Sequence, residues 1–244
     1  MSRRIFAVAT AAATLLVWLA AHDLPDGVRF WTTVLLVPFP ALMVMQARLQ
    51  PDLADVRREP LYLVSALTLW LLALATLAIA IPGGIGAYQL GLFTGNIGEQ
   101  LLWATAITVL AEGIYLAAHR LGLREAPLLV HLLPRTKRER IGFAALSVSA
   151  GCCEELVFRG FLLTALSAAT GSLTLALILS SLTFGVTHAY QEPAGAARAT
   201  LLGLLLAAPV IATGSLLGAA VAHTAIDILG GFWLGPRLTR ADGR

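Results

Sequence analysis

IGFAALSVSAGCCEELVFRGFLLTALSA, residues 141–168, is long and apolar enough to cross a membrane as one helix, yet it carries Glu154, Glu155 and Arg159 near its centre. A hydrocarbon core about 30 Å thick takes roughly 20 apolar residues of helix. A charged side chain at the middle of that core costs on the order of 2.5–3.5 kcal/mol on insertion scales. The length of the run fixes the class of structure, and the charges inside it call for a use.

Stretches of the same kind recur on both sides. The chain has 244 residues, 58% hydrophobic and 13% charged, against about 25% charged in an ordinary soluble domain, and its mean hydropathy is +0.80. Further apolar runs cover about 5–22, 30–47, 61–81, 100–119, 172–190, 196–212 and 214–234. The expected fold is therefore all-α, a polytopic transmembrane helical bundle of about eight spans. The first run follows Arg3 and Arg4 as a secretory signal would, but its cleavage site is weak, and we expect it to be retained as a membrane helix.

Basic residues set the expected orientation. With both termini cytoplasmic, every Lys and Arg except Arg29 and Arg159 falls in a cytoplasmic segment, as the positive-inside rule requires. The pI near 9.2 then reports orientation and anionic lipid headgroups, with no nucleic-acid partner implied. The Gly-rich outer loop 82–98 is expected to be flexible. The basic inner loop 120–140 holds an apolar piece, Ala126 to Leu133, too short to span and expected along the cytoplasmic surface. Cys152 and Cys153 are adjacent, which excludes a disulfide framework and gives no CxxC metal spacing. Buried charge divides the chain into 1–140, N-terminal helices with the basic loop, 141–234, which carries nearly all of it, and a basic cytoplasmic tail 235–244. The sequence sets no oligomeric state.

Helical geometry decides which polar groups of 141–234 can meet. Glu155 and Arg159 are at i and i+4, neighbours on one face and a ready-made ion pair. Glu154 points about 100° away around the helix and is left for another partner. Phe184 and His188 share a face in the same way, as do His223 and Asp227. Helix-packing hydrogen bonds account for a lone intramembrane histidine, but not for this whole set, because leucine and glycine pack without the cost of burying charge. Amide hydrolysis fits the set: a base activates water and donors hold the oxyanion. The same side chains suit Zn²⁺ ligation or the proton relay of a proton-coupled transporter. Composition leaves these open. Glu112, with Tyr115 and His119 on the same face of its run, is a candidate acid behind the site.

In order and separation, Glu154-Glu155-x-x-x-Arg159, Phe184-x-x-x-His188 and His223-x-x-x-Asp227 resemble the three motifs of the CPBP family, the intramembrane CAAX proteases and bacteriocin-processing or immunity proteins. The resemblance covers about 141–234, including the Gly214-Ser215-Leu216 turn. It implies an intramembrane glutamic endopeptidase, historically classed as a metalloprotease, acting on a membrane-associated protein or peptide. In that scheme Glu154 and His188 hold and deprotonate the attacking water, His223 and Asp227 form the oxyanion site, and Arg159 holds the glutamate pair. No cofactor is required, with Zn or another divalent metal on Glu154, His188 and His223 as the alternative. Several members carry Asn where Asp227 stands. An ionised aspartate repels an oxyanion, so Asp227 is expected to be protonated or to orient His223. Ala, Leu and Arg usage points to a bacterial inner membrane, where a prenylated substrate is not expected. A catalytically silent peptide-binding or immunity protein is the remaining alternative.

Overall fold

The computed structural model describes residues 3–49, 56–123 and 125–237. Arg124, Arg240 and Arg244, and with them most of the expected 235–244 tail, lie outside the described residues, as does the side chain of Arg3. The described residues form nine helices and no strand. These are α1 (Arg3–Ala20), α2 (Asp26–Ala47), α3 (Arg58–Ala80), α4 (Ile97–Arg120), α5 (Pro127–His131), α6 (Lys137–Thr170), α7 (Leu173–Thr187), α8 (Glu192–Thr213) and α9 (Leu217–Arg237). Six of them, α2, α3, α4, α6, α8 and α9, are long and apolar enough to cross a membrane, and α1 and α7 are shorter apolar helices. The apolar helices coincide with the eight runs read from the sequence, and their ends differ for identifiable reasons.

Helix α6 starts at Lys137, ahead of the apolar run, because Thr136 and Glu139 form a capping box. The Thr136 hydroxyl accepts from the Glu139 N–H, and the Glu139 carboxylate accepts from the Thr136 N–H at 2.8 Å. At 34 residues the helix is about 51 Å long at 1.5 Å per residue, so it tilts or runs beyond the hydrocarbon at one end. Helix α2 is broken at Val37 (φ −127°, ψ −66°), the residue before Pro38, where proline disfavours helical backbone. Helix α7 stops at Thr187, which makes His188 its C-cap residue (φ −93°, ψ 19°) and not a member of the last turn.

The glycine-rich segment 82–98 is packed, contrary to the expectation of flexibility. Leu90 is fully buried, the Leu216 N–H donates to the Gly91 carbonyl at 3.0 Å, and the Ser215 hydroxyl donates to the Phe93 carbonyl. A Cβ on Gly91 would stand 2.8 Å from the Gly214 carbonyl oxygen, and one on Gly160 would stand 2.8 Å from that of Leu90. Glycine here buys close approach of backbones. Gly214, in the turn read from the sequence, ends α8 with a left-handed φ of +75°.

Beyond the other end of α4, residues 125–136 are also tied down. The Arg58 side chain donates to the His131 carbonyl and pairs with Glu139 at 3.3 Å, while the Tyr62 hydroxyl donates to the Leu132 carbonyl. His131 places Nε2 3.1 Å from the Val56 carbonyl oxygen. Arg198 of α8 pairs with Glu125 at 2.6 Å. Burial drives the Glu125 carboxyl above the ordinary glutamate range, and Arg198 opposes that shift.

Helix α6 packs against α3 and α9, and α7 against α8. The core centres on a π-helical segment of α6, Leu156–Leu162, in which every residue is buried, together with Leu35, Leu90, Ala176 and Phe184. The Ser180 hydroxyl of α7 donates to the Phe158 carbonyl inside this segment at 2.8 Å. Two glycines let the partner helices close in. A Cβ on Gly151 would overlap the Thr224 hydroxyl of α9, and one on Gly185 would overlap the Thr200 hydroxyl and lie 2.7 Å from the Ala196 carbonyl oxygen. Thermal unfolding of Gly185→Ala in detergent should show a loss of about 1–3 kcal/mol, the usual penalty of overpacking. An unchanged midpoint would mean that α7 and α8 separate freely.

Candidate active site

The three sequence constellations come together around Glu155. Glu155 ends the α-helical part of α6, and Arg159 follows one turn later within the π-helical segment. Arg159 Nη1 donates to Glu155 Oε1 at 3.0 Å, and the side chains are 2% and 0% exposed. The same oxygen accepts from His223 Nδ1 of α9 at 2.8 Å. Glu155 therefore does more than balance the arginine of its own helix: it fixes the His223 ring across the helix interface. Because a carboxylate accepts at Nδ1, the Nε2 edge of His223 is the one turned toward the site. His223 Nε2 lies 3.8 Å from Glu154 Oε2, too far for a hydrogen bond.

Glu154 differs from its neighbour in accepting no hydrogen bond among the described residues, whereas Glu155 accepts two on Oε1; the Oε2 of each is buried without one. The two adjacent carboxylates therefore differ in environment as the 100° rotation requires: one is hydrogen-bonded to both Arg159 and His223, and the other stands opposite the His223 Nε2 edge with no hydrogen bond.

Phe184 of α7 assembles the remaining parts. Its ring centroid is 5.1 Å from Phe158, 4.6 Å from His188 and 5.9 Å from His223, and the Arg159 guanidinium sits 4.3 Å over its face. Its backbone contributes as well. His188 Nδ1 is 2.8 Å from the Phe184 carbonyl oxygen, which can only accept, so Nδ1 carries the hydrogen and the neutral ring presents a lone pair at Nε2. Although the helix ends at Thr187, the Phe184–His188 pair is formed as the spacing suggests.

Asp227 lies one turn beyond His223, within electrostatic reach of His223, Glu154 and His188. No hydrogen bond among the described residues joins it to His223, whose orientation is supplied by Glu155. Glu112 on α4 has a buried, unpartnered Oε1, but no hydrogen bond or ion pair connects it to Glu154, His188 or His223. Among the described residues no group of three or more His, Cys, Asp or Glu side chains converges as a metal site requires.

Sequence spacing did not disclose some of the positioning residues. Ser180 was hidden in the apolar run of α7, where two adjacent serines were the available signal. Gly151 and Gly185 were visible only as small residues in long spans. The ion pair of Arg198 with Glu125, across 73 positions, has no local signature.

Residues 137–229 match the family model described as type II CAAX prenyl endopeptidase Rce1-like. No curated protein matches the chain, and neither does any solved structure. The matched region runs from the capped start of α6 to Leu229 of α9 and contains all three constellations, so this part of the chain is similar to the Rce1-like endopeptidase domain and consistent with the CPBP and CAAX protease family.

Proposed function

We propose that this chain is a multi-pass intramembrane glutamic endopeptidase that hydrolyses a peptide bond of a membrane-associated protein or peptide, with water activated by Glu154 and His188. Similarity of this region to an endopeptidase family supports proteolysis in general. The observation that carries the particular reading is the contrast within the glutamate pair: Glu155 Oε1 accepts from both Arg159 and His223, and Glu154 accepts no hydrogen bond among the described residues, its Oε2 lying 3.8 Å from His223 Nε2.

In this reading His188 Nε2 accepts a hydrogen bond from the water and holds it beside Glu154. Glu154 takes a proton as the water oxygen bonds to the substrate carbonyl carbon. The resulting oxyanion accepts from the Nε2–H of His223, which acts as the imidazolium, its Nδ1–H held by the Glu155 carboxylate. The C–N bond then breaks, and the proton on Glu154 passes to the departing amine, which restores the carboxylate. Side chains alone supply every proton and charge in this cycle. We assign the protein to a bacterial inner membrane, with the site opening toward the cytoplasm, where His188 ends the descending helix.

The test is cleavage of a fluorogenic peptide panel by the purified protein in detergent or liposomes. His188→Ala should lower kcat/KM by about 10²–10⁴-fold, the usual contribution of a positioned proton-transfer group. Cleavage should survive a strong chelator. Equal turnover by wild type and His188→Ala would reject the assignment, and loss of activity with the chelator, restored by Zn²⁺, would replace the metal-free cycle with a metal-assisted one.

A further inference from the structure

An oxyanion site built on His223 and Asp227 has one good donor whenever Asp227 is ionised, because an aspartate carboxylate accepts hydrogen bonds and repels developing negative charge. The structure holds a further donor, a phenol hydroxyl, in the turn that follows His188. Tyr190 belongs to the single 3₁₀ turn, Ala189–Gln191, that follows His188 and leads into α8. Its ring centroid is 5.9 Å from that of His188. It lies within electrostatic reach of both Glu154 and Asp227, and it remains 36% exposed, open to a substrate.

The turn is built to hold this side chain. Gln191 Nε2 donates to the Tyr190 phenol oxygen at 3.1 Å, which occupies a lone pair and leaves the O–H free to point elsewhere. Gln191 in turn sits against Gly195, where a Cβ would overlap its own Cβ. The next residue, Glu192, has φ +64°, the one positive value at a non-glycine position among the described residues. Strained backbone of this kind persists where surrounding contacts over-determine it, and it collects at functional sites.

Resting on the endopeptidase reading above, we infer that Tyr190 is the second donor of the oxyanion site, its phenol O–H hydrogen-bonding the carbonyl oxygen of the scissile peptide as negative charge develops there. Tyr190 stands beside the water-holding His188, with the water-activating carboxylate and Asp227 both within its electrostatic reach. The phenol keeps its proton throughout and adds no step to the cycle. It also accounts for an aspartate at 227: with Tyr190 donating, the site does not depend on an amide at that position.

The experiment compares wild type, Tyr190→Phe, Asp227→Asn and the double variant on one fluorogenic peptide that the wild type cleaves, with unfolding temperature recorded for each. Tyr190→Phe should lower kcat by about 10²–10³-fold with KM little changed, the size found when one oxyanion donor is removed. Asp227→Asn in the Tyr190→Phe background should recover about tenfold or more of that loss, since the amide N–H is a donor where the carboxylate was not. A merely structural tyrosine would lower the unfolding temperature and would not be rescued from position 227. Wild-type kcat in Tyr190→Phe, or a loss that Asp227→Asn leaves untouched, overturns the inference while the endopeptidase reading stands. A wild type no more active than Glu154→Gln overturns both.

Discussion

Glu155→Leu is expected to lower stability by about 3–5 kcal/mol, as breaking a buried ion pair from one side does. The substitution leaves the Arg159 guanidinium, 2% exposed, without its carboxylate, and takes the Nδ1 partner from His223. Arg159 already has one buried nitrogen, Nη2, with no hydrogen bond, so it has no second acceptor to turn to. Replacing both partners, Glu155→Leu with Arg159→Met, should recover most of the loss, because apolar groups of similar volume need no compensation in this core. Chemical or thermal unfolding of the two singles and the double in one detergent measures this. A single variant within about 0.5 kcal/mol of wild type, the usual range of a surface change, would show that the pair is hydrated. The double should remain inactive even when stable, because His223 is no longer held.

One residue earlier the expectation reverses. Glu154→Gln should reduce kcat/KM by at least about 10³-fold, or roughly 4 kcal/mol of transition-state stabilisation at 1.36 kcal/mol per decade. Its stability should be unchanged or higher. Glu154 Oε2 is buried without a hydrogen bond, and a neutral amide of nearly the same shape is cheaper to keep there than a carboxylate. Activity and unfolding are read on the same preparation. Retained cleavage would remove Glu154 from the proposed cycle, and a loss of stability comparable to that of Glu155→Leu would show that the two glutamates share one structural task.

The parts of the site that were legible in the sequence are those that helical periodicity reaches. Glu155 with Arg159 and Phe184 with His188 are each four residues apart, and both contacts form. The assignment of Glu155 to Arg159 alone was incomplete, because its second partner, His223, is 68 positions away and no local rule brings α6 and α9 into register. Hydropathy located the apolar helices but not their ends. The start of α6 is set by a capping box within a charged stretch that an apolar scan discards, and the break in α2 depends on a proline. The 82–98 loop shows the limit most plainly. Its glycines read as freedom in one dimension, and only the folded arrangement reveals that they are the positions where two backbones touch.

Helix α7 has 15 residues, about 22 Å at 1.5 Å per residue. That is several ångströms short of an ordinary bilayer's apolar thickness, and a short hydrophobic element is accommodated by local thinning of the lipid around it. Thinning draws headgroups and their hydration inward at the end of the element, and here that end carries His188. A hydrolase sunk in lipid must be supplied with the second reactant, water, as well as the first. The brevity of α7 brings the aqueous phase to the site without a pore through the bundle, so the surrounding membrane becomes part of the hydration path.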